Sequence, residues 1–184
     1  MKTRFFCFLI PLLLAFESCN DTKRELALFL EQNVTIPTHL MKKCYCSQFS
    51  DTTHQSQHIF FIYYIDTVGC SSCELSKMSA IEQLHYNQYK SDVEFIYVVS
   101  TPAEYVDEMN SVMNGYRLKN TVYLDTCNAF LTANAHIPVD NQLFHTFVIN
   151  RDGKVLMVGN PFQNGRMEAL FKKVIAKERR LQGK

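Results

Sequence analysis

From residue 58 onward, the sequence alternates between apolar runs of strand length and segments with the period of a helix. "HIFFIYYI" and "VEFIYVVS" are continuous apolar and aromatic runs, as expected of strands covered on both faces. The segment after the first run repeats apolar residues at helical spacing, at Leu75, Met78, Ile81 and Leu84. Near the end, "LFHTFVIN" and "KVLMVGN" are joined by "RDG", a strong hairpin turn. This order predicts an α/β three-layer sandwich with a central, mainly parallel mixed sheet and helices on both faces.

Two cysteines lie between the first of these strands and the helix after it, in "DTVGCSSCELSKM". At the N-terminus of a helix, free backbone N–H groups and the helix dipole stabilise negative charge, so a cysteine ionises more readily there. Because the thiolate is the attacking species in disulfide exchange, the position predicts a redox pair. Cys70 is the candidate nucleophile and Cys73 the resolving cysteine, while Gly69 permits a close approach to the helix. A structural disulfide and one half of a metal site are the alternatives.

The remaining cysteines suggest no second site. Cys44 and Cys46 are so close in the chain that a disulfide between them would be strained. Together with Cys70 and Cys73 they would make a poor metal site, because their C-x-C spacing is unusual for one. A bond from one of them to Cys127, or a relay role, stays open. Cys127 itself is interpreted as a buried apolar residue in a short helix. We therefore expect no metal or organic cofactor.

The N-terminus has the pattern of an export signal. "MKTRFFCFLIPLLLAFESCN" begins with basic residues and continues with an apolar stretch that is too short for an ordinary membrane anchor. Its end resembles a bacterial lipobox, although Glu17 stands where a small residue is usual. We therefore expect that residues 1–18 are removed and that Cys19 carries a lipid. A plain secretory signal with an incidental cysteine is the alternative.

With this export signal, the chain is predicted to have three parts. Residues 1–18 are the predicted lipoprotein signal peptide, residues 19–57 a tether with a lead-in helix and irregular segment, and residues 58–184 the folded domain. Disulfides persist outside the cytoplasm, so a redox pair there can act in either oxidation state. The net charge is +1 and acids and bases are interspersed, which argues against a nucleic-acid surface.

Residues 58–180 resemble the thioredoxin-like superfamily. The resemblance rests on "HIFFIYYID", "GCSSC", "EFIYVVS", "TPAEYVDEM" and "HTFVINRDGKVLMVGNP". It is closest to the membrane-tethered TlpA-type and ResA-type thiol-disulfide oxidoreductases and to small thioredoxin-like bacterial lipoproteins. It implies a thioredoxin-like sandwich that exchanges disulfides through Cys70 and Cys73 without a cofactor. It also implies that His145 and Thr146 lie opposite the cysteine pair and that Asp66 lies near it.

The sequence departs from this family in three places. "DTVG" stands where an aromatic residue is usual, and Ser-Ser stands between the cysteines where proline is common. The third departure is the segment before the penultimate strand, where the family has a cis-proline and this chain has Phe144-His145-Thr146. Because a non-proline cis bond costs roughly 2.5–4 kcal/mol, we expect a trans peptide. The missing proline favours a specialised partner or a lost activity.

Several supporting residues keep two interpretations each. Asp66 is either a proton acceptor or a capping or turn residue. His145 either tunes the thiolate or is a half-exposed histidine at a strand start. Glu74 and Lys77 are interpreted as surface residues of the helix.

The sequence thus predicts a lipid-anchored thiol-disulfide oxidoreductase in the cell envelope, on the periplasmic side of a bacterial membrane. Its expected partners are protein thiols and disulfides, or a dedicated redox partner, and the membrane through the lipid at Cys19. The main alternative is a non-catalytic thioredoxin-fold binding lipoprotein with a structural disulfide. A copper-handling role fits less well, because copper-delivery relatives use a wider cysteine spacing.

Overall fold

The computed structural model describes residues 21–44, 58–66, 71–116 and 118–182. The elements, in chain order, are α1 (21–30), β1 (Lys42–Cys44), β2 (Ile59–Ile65), α2 (Ser71–Tyr89), β3 (Val93–Ser100), α3 (Val106–Tyr116), β4 (Thr121–Asp125), α4 (Ala129–Ala133), β5 (Thr146–Asn150), β6 (Val155–Val158) and α5 (Gly165–Gln182). Short 3-10 turns occur at Thr38–Leu40, Ala103–Tyr105 and Gln142–His145. The alternation of strands and helices predicted from residue 58 onward is confirmed.

Some sequence predictions concern residues outside the described ranges. They are the signal peptide, the lipidation site Cys19, the glycine and first cysteine of the motif, Gly69 and Cys70, and also Cys46. These remain predictions.

The strands form one mixed sheet in the order β1-β4-β3-β2-β5-β6. β2, β3 and β4 run parallel, whereas β1, β5 and β6 pair antiparallel with their neighbours. The two central strands are apolar along nearly their whole length because both of their faces are covered. Phe61 and Phe95, for example, are completely buried. The predicted three-layer α/β sandwich with a mixed sheet is confirmed.

The direction of each connection decides which helices share a face of the sheet. The chain passes from β2 to β3 and on to β4 in one direction, so right-handed crossovers place α2 and α3 on the same face. Met78 of α2, Met113 of α3 and Phe171 of α5 belong to one apolar core. The chain then returns past β2 to reach β5, and α4 lies on the other face. There Phe130 of α4 and Phe29 of α1 belong to the second core.

Residues 21–44 pack against the rest of the fold. The ring of Phe29 makes edge contacts with Phe144 and Phe147, at centroid distances of 5.6 and 5.3 Å. β1 pairs with β4 and forms an edge of the sheet. The lead-in segment therefore supplies part of the second core and one edge strand.

Helix α2 buries a different set of residues from the one that its apolar spacing predicted. Leu75, Met78 and Ile81 are buried as expected, but Leu84 is 74% exposed. Three-residue steps fall short of the 3.6-residue helical turn, so Leu84, nine positions after Leu75, lies on the opposite side of the helix. The prediction for Leu84 was wrong. Glu82 is buried on the inner side of the helix instead.

Candidate active site at the end of the central strand

A crevice lies beyond the end of β2, because the chain reaches the two neighbours of β2 at different stages. β2 leads through α2 to β3 on one side, whereas β5, its other neighbour, is reached only after β4. Folds of this class bind ligands at such a switch point, beyond the carboxyl ends of the parallel strands. A cleft of about 460 Å³ opens there. Its lining comprises Tyr63, Tyr64, Ile65, Asp66, Glu74, Lys77, Val139, Asp140, Gln142, His145 and Thr146.

The structure brings three of the predicted site residues together at this cleft. Asp66, His145 and Thr146, which the sequence places up to 80 positions apart, all line it. Cys73 is exposed in the first turn of α2, next to the cleft-lining Glu74. The described supporting residues and Cys73 therefore share one region of the surface.

Glu74 is the site residue that sequence reasoning missed. Its side chain is only 25% exposed, and its carboxylate accepts hydrogen bonds from the Tyr63 hydroxyl at 2.6 Å and from the Lys77 ammonium at 2.5 Å. Glu74 is thus half-buried and bonded to Tyr63 of the sheet, whereas the sequence predicted only a surface residue of the helix. Lys77, at 62% exposure, does lie on the surface. The spacing of Glu74 and Lys77 was the only available signal, since three residues along a helix bring side chains together.

Hydrogen bonding keeps the Glu74 carboxylate charged. Burial acts to raise the pKa of Glu74, but the hydrogen bonds from Lys77 and Tyr63 outweigh it and hold the pKa below its ordinary value. The partner hydroxyl responds in the opposite sense, because burial and the bond to Glu74 both raise the pKa of Tyr63. Near neutral pH, Tyr63 is therefore a neutral donor to an ionised acceptor.

His145 lines the cleft on the side of β5. Its Nε2 donates a hydrogen bond to the Val139 carbonyl oxygen at 2.7 Å, which fixes the orientation of the ring. The ring lies edge-on to Tyr64 at a centroid distance of 5.5 Å. Burial, together with the nearby charge of Asp66, raises the pKa of Tyr64 to about 12. Tyr64 is consequently a neutral wall residue, held beside His145.

The backbone before β5 departs from the proline-containing pattern as the sequence predicted. No cis peptide bond occurs among the described residues, so the peptide between His145 and Thr146 is trans. His145 ends the 3-10 turn Gln142–His145, and Thr146 enters β5 in an extended conformation with φ −130° and ψ 126°. Thr146 is buried and pairs with Tyr63 across the sheet.

The other described cysteines, Cys44 and Cys127, are not joined by a disulfide. Cys44 pairs with Val122 near the start of β4, whereas Cys127 follows the end of β4, with its sulfur 3.8 Å from the Leu40 carbonyl oxygen. The Cys44 thiol instead donates to the Asn110 side-chain oxygen at 3.0 Å, and neither Cys44 nor Cys127 is in a disulfide in this structure. Cys127 is also exposed, in the turn before α4, so the prediction that it is buried was wrong.

Within the described part of the chain, no three His, Cys, Asp or Glu side chains are grouped to hold a metal ion. Among the helices of the same ranges, none is long and apolar enough to cross a membrane.

The architecture has counterparts among solved structures. A thioredoxin-like protein in its oxidized form aligns with 80% of this chain and 97% of its own, with a TM-score of 0.53 at 13% sequence identity. The chain has a thioredoxin-like fold. A thioredoxin-like protein from Porphyromonas gingivalis is also similar, at 19% identity, over 64% of this chain and 73% of its own, with a TM-score of 0.44.

A third similar structure is the thioredoxin domain of a thiol-disulfide oxidoreductase from Bacteroides vulgatus. It is 14% identical and covers 64% of this chain and 79% of its own, with a TM-score of 0.41. No protein-family model matches the chain, and neither does any curated protein. The predicted thioredoxin-like fold is therefore confirmed by the structure with a TM-score of 0.53.

Proposed function

We propose that this chain is a thiol-disulfide oxidoreductase that exchanges disulfides with proteins through Cys70 and Cys73. The observation that carries the proposal is the position of Cys73 in this thioredoxin-like fold. It is an exposed residue in the first turn of the helix after the central strand, at the edge of the switch-point cleft. A helix N-terminus favours the thiolate that disulfide exchange requires.

In the proposed reaction, the Cys70 thiolate attacks one sulfur of a substrate disulfide. A mixed disulfide forms, and the other substrate sulfur leaves as a thiolate that takes up a proton. Cys73 then loses its proton and attacks the Cys70 sulfur. The second substrate sulfur leaves, and the enzyme retains a Cys70–Cys73 disulfide. The reverse sequence oxidises a substrate dithiol.

We propose further that the protein is exported and anchored by a lipid at Cys19, which would place it on the periplasmic side of a bacterial membrane. The support is the sequence pattern of residues 1–19. Metabolic labelling with a fatty acid should mark the wild-type protein and leave the Cys19→Ser variant unlabelled. Equal labelling of the two would contradict the anchor.

The reduction potential of the Cys70–Cys73 pair tests the proposed activity. The protein, with Cys44, Cys46 and Cys127 replaced by serine, is equilibrated in glutathione buffers and its thiols are trapped. A potential between about −120 and −270 mV is expected of an exchange protein, whereas structural disulfides fall below about −300 mV. A pair that stays oxidised far below the first window refutes the proposal.

A binding lipoprotein with a structural disulfide is the second candidate. The trans peptide before Thr146 favours it, because the backbone there lacks the cis-proline with which relatives hold their substrates. A trapping experiment separates the two candidates. In an exchange protein, Cys73→Ser should accumulate mixed disulfides at Cys70 that the Cys127→Ser control does not form. A binding protein with a structural disulfide should accumulate none above that control.

A further inference from the structure

We propose that Lys77 and Glu74 are positioning residues that set how readily Cys73 ionises: Lys77 favours the thiolate, Glu74 opposes it, and Tyr63 anchors the pair to the sheet. The consequence for disulfide exchange rests on the proposed function. The ionisation of Cys73 does not, and it can be measured separately.

The placement follows from the helix. Cys73 and Lys77 are four residues apart in α2, so their side chains share one face, one turn from each other. The hydrogen bond to Glu74 is the main cause of a raised Lys77 pKa, and the charge of an ionised Cys73 acts in the same direction. The Lys77 ammonium therefore interacts with two anions, the Glu74 carboxylate and the Cys73 thiolate.

The contacts that hold Lys77 in place begin at the sheet. Tyr63 belongs to the central strand and is only 7% exposed, so its hydroxyl is held in place. It fixes the Glu74 carboxylate, which in turn holds the exposed Lys77 ammonium. An unrestrained surface lysine would spread its charge over many rotamers. Here the contacts confine that charge to the face of α2 that carries Cys73.

The two charges have opposite effects on the exchange reaction. When Cys73 resolves a mixed disulfide, its sulfur bonds to the Cys70 sulfur, the bond from Cys70 to the substrate breaks, and the Cys73 proton passes to solvent. Lys77 raises the fraction of Cys73 that is ready to attack and stabilises the reduced pair, which makes the pair more oxidising. Glu74 lowers that fraction and makes the pair more reducing.

The same chain contains a matched control network at a different place. The Tyr89 hydroxyl donates to Glu168 at 2.9 Å, and the Lys172 ammonium lies 2.7 Å from the same carboxylate. Glu168 and Lys172 belong to α5, which contains no cysteine. Substitutions there change the same kinds of contact without changing the surroundings of Cys73.

The test measures the alkylation rate of Cys73 against pH in the full chain carrying Cys70→Ser, with site-resolved mass spectrometry as the readout. Lys77→Met should slow alkylation at neutral pH by about three- to tenfold, and Glu74→Gln should speed it by a similar factor, as expected for one exposed charge near a thiol. Lys172→Met and Glu168→Gln should leave the rate unchanged. In a Tyr63→Phe background, the effect of Lys77→Met should shrink.

Opposite signs protect the test against misfolding, since partial unfolding would separate Cys73 from both charges and would shift the alkylation rate in the same direction in both site variants. Equal rates in Lys77→Met and Lys172→Met, or a shift of the same sign in both site variants, would overturn the inference. The reduction potential of the unmodified pair reports independently on the proposed function. If the pair proves structural but the signed rate changes remain, disulfide exchange fails while the control of Cys73 ionisation stands.

Discussion

Replacing Glu82 with alanine should strongly destabilise the protein. Glu82 projects inward from α2 and is only 3% exposed. Its carboxylate accepts hydrogen bonds from the Lys119 N–H at 2.6 Å, the Asn120 N–H at 3.1 Å and the Asn120 side-chain amide at 2.7 Å. A single side chain thus ties the helix after the central strand to the entry of β4.

The magnitude follows from these three bonds. A hydrogen bond to a charged group contributes about 1.5–3 kcal/mol, so the gross loss is about 4.5–9 kcal/mol. The alanine variant also avoids the cost of burying a carboxylate, which offsets several kcal/mol. Because burial outweighs these bonds for the charged form, the net loss arises mainly from the donors that the alanine variant leaves without an acceptor. We expect a net loss of about 2–4 kcal/mol, a large share of the roughly 5–15 kcal/mol that stabilises a typical domain.

Glu82 should also add a characteristic pH dependence. Burial raises the pKa of this carboxyl above its ordinary value of 4.5, although the bonds from Lys119 and Asn120 act against the shift. The folded protein therefore binds this proton more tightly than the unfolded protein does. The resulting stabilisation is fully present below the unfolded pKa and is lost as the pH rises through the folded pKa. Glu82→Gln should remove this component.

Urea unfolding followed by circular dichroism, repeated across pH, provides the measurement. Gln83→Ala is the matched control, because Gln83 is the next residue of the helix and is exposed. It should change the free energy of unfolding by no more than about 0.5 kcal/mol. A loss below about 1 kcal/mol for Glu82→Ala would refute the reasoning, since the three donors would then not depend on the carboxylate.

Two further predictions concern a turn and the remaining thiols. Gly153→Ala should destabilise the protein by at least about 1–3 kcal/mol in urea unfolding, because Gly153 has φ +82° and an added Cβ would lie 2.4 Å from the Val34 carbonyl oxygen. Gly115→Ala, where a Cβ meets nothing within 4 Å, should be neutral or stabilising, and an equal loss at both sites would contradict the argument. Alkylation of the folded protein at mildly alkaline pH should modify Cys127 at least about tenfold faster than Cys44, because burial raises the pKa of Cys44 and also shields its sulfur. Comparable rates for the two would show that β1 opens readily.

Local pattern predicted the elements well where one signal dominated. The apolar runs of β2 and β3, and the turn between β5 and β6, required no knowledge of the fold. The errors came from small displacements along the chain. Asn128 adopts a left-handed conformation with φ 56°, and α4 begins only at Ala129, which leaves Cys127 exposed in the preceding turn. Leu84 was misplaced because a three-residue step is not a helical turn.

One part of the candidate site could be predicted from the sequence, and another part could not. Cys73 at a helix start and the absence of proline before Thr146 are local facts. The hydrogen bond that holds Glu74 could not be predicted, because it comes from Tyr63, a residue of the neighbouring strand. A helix pattern shows which residues share a face, but not which strand residue that face meets.

The sequence by itself determined the order of strands and helices, the position of Cys73 at the start of the helix after β2, and the trans backbone before β5. Each depends on interactions within a few residues, such as a steric limit, a helix end or a covered strand. Only the tertiary structure decided that β5 lies beside β2 and that His145 therefore faces the start of α2. It also decided that a lysine near Cys73 is held in place from the sheet. Those contacts depend on strand order and register, which join residues far apart in the chain.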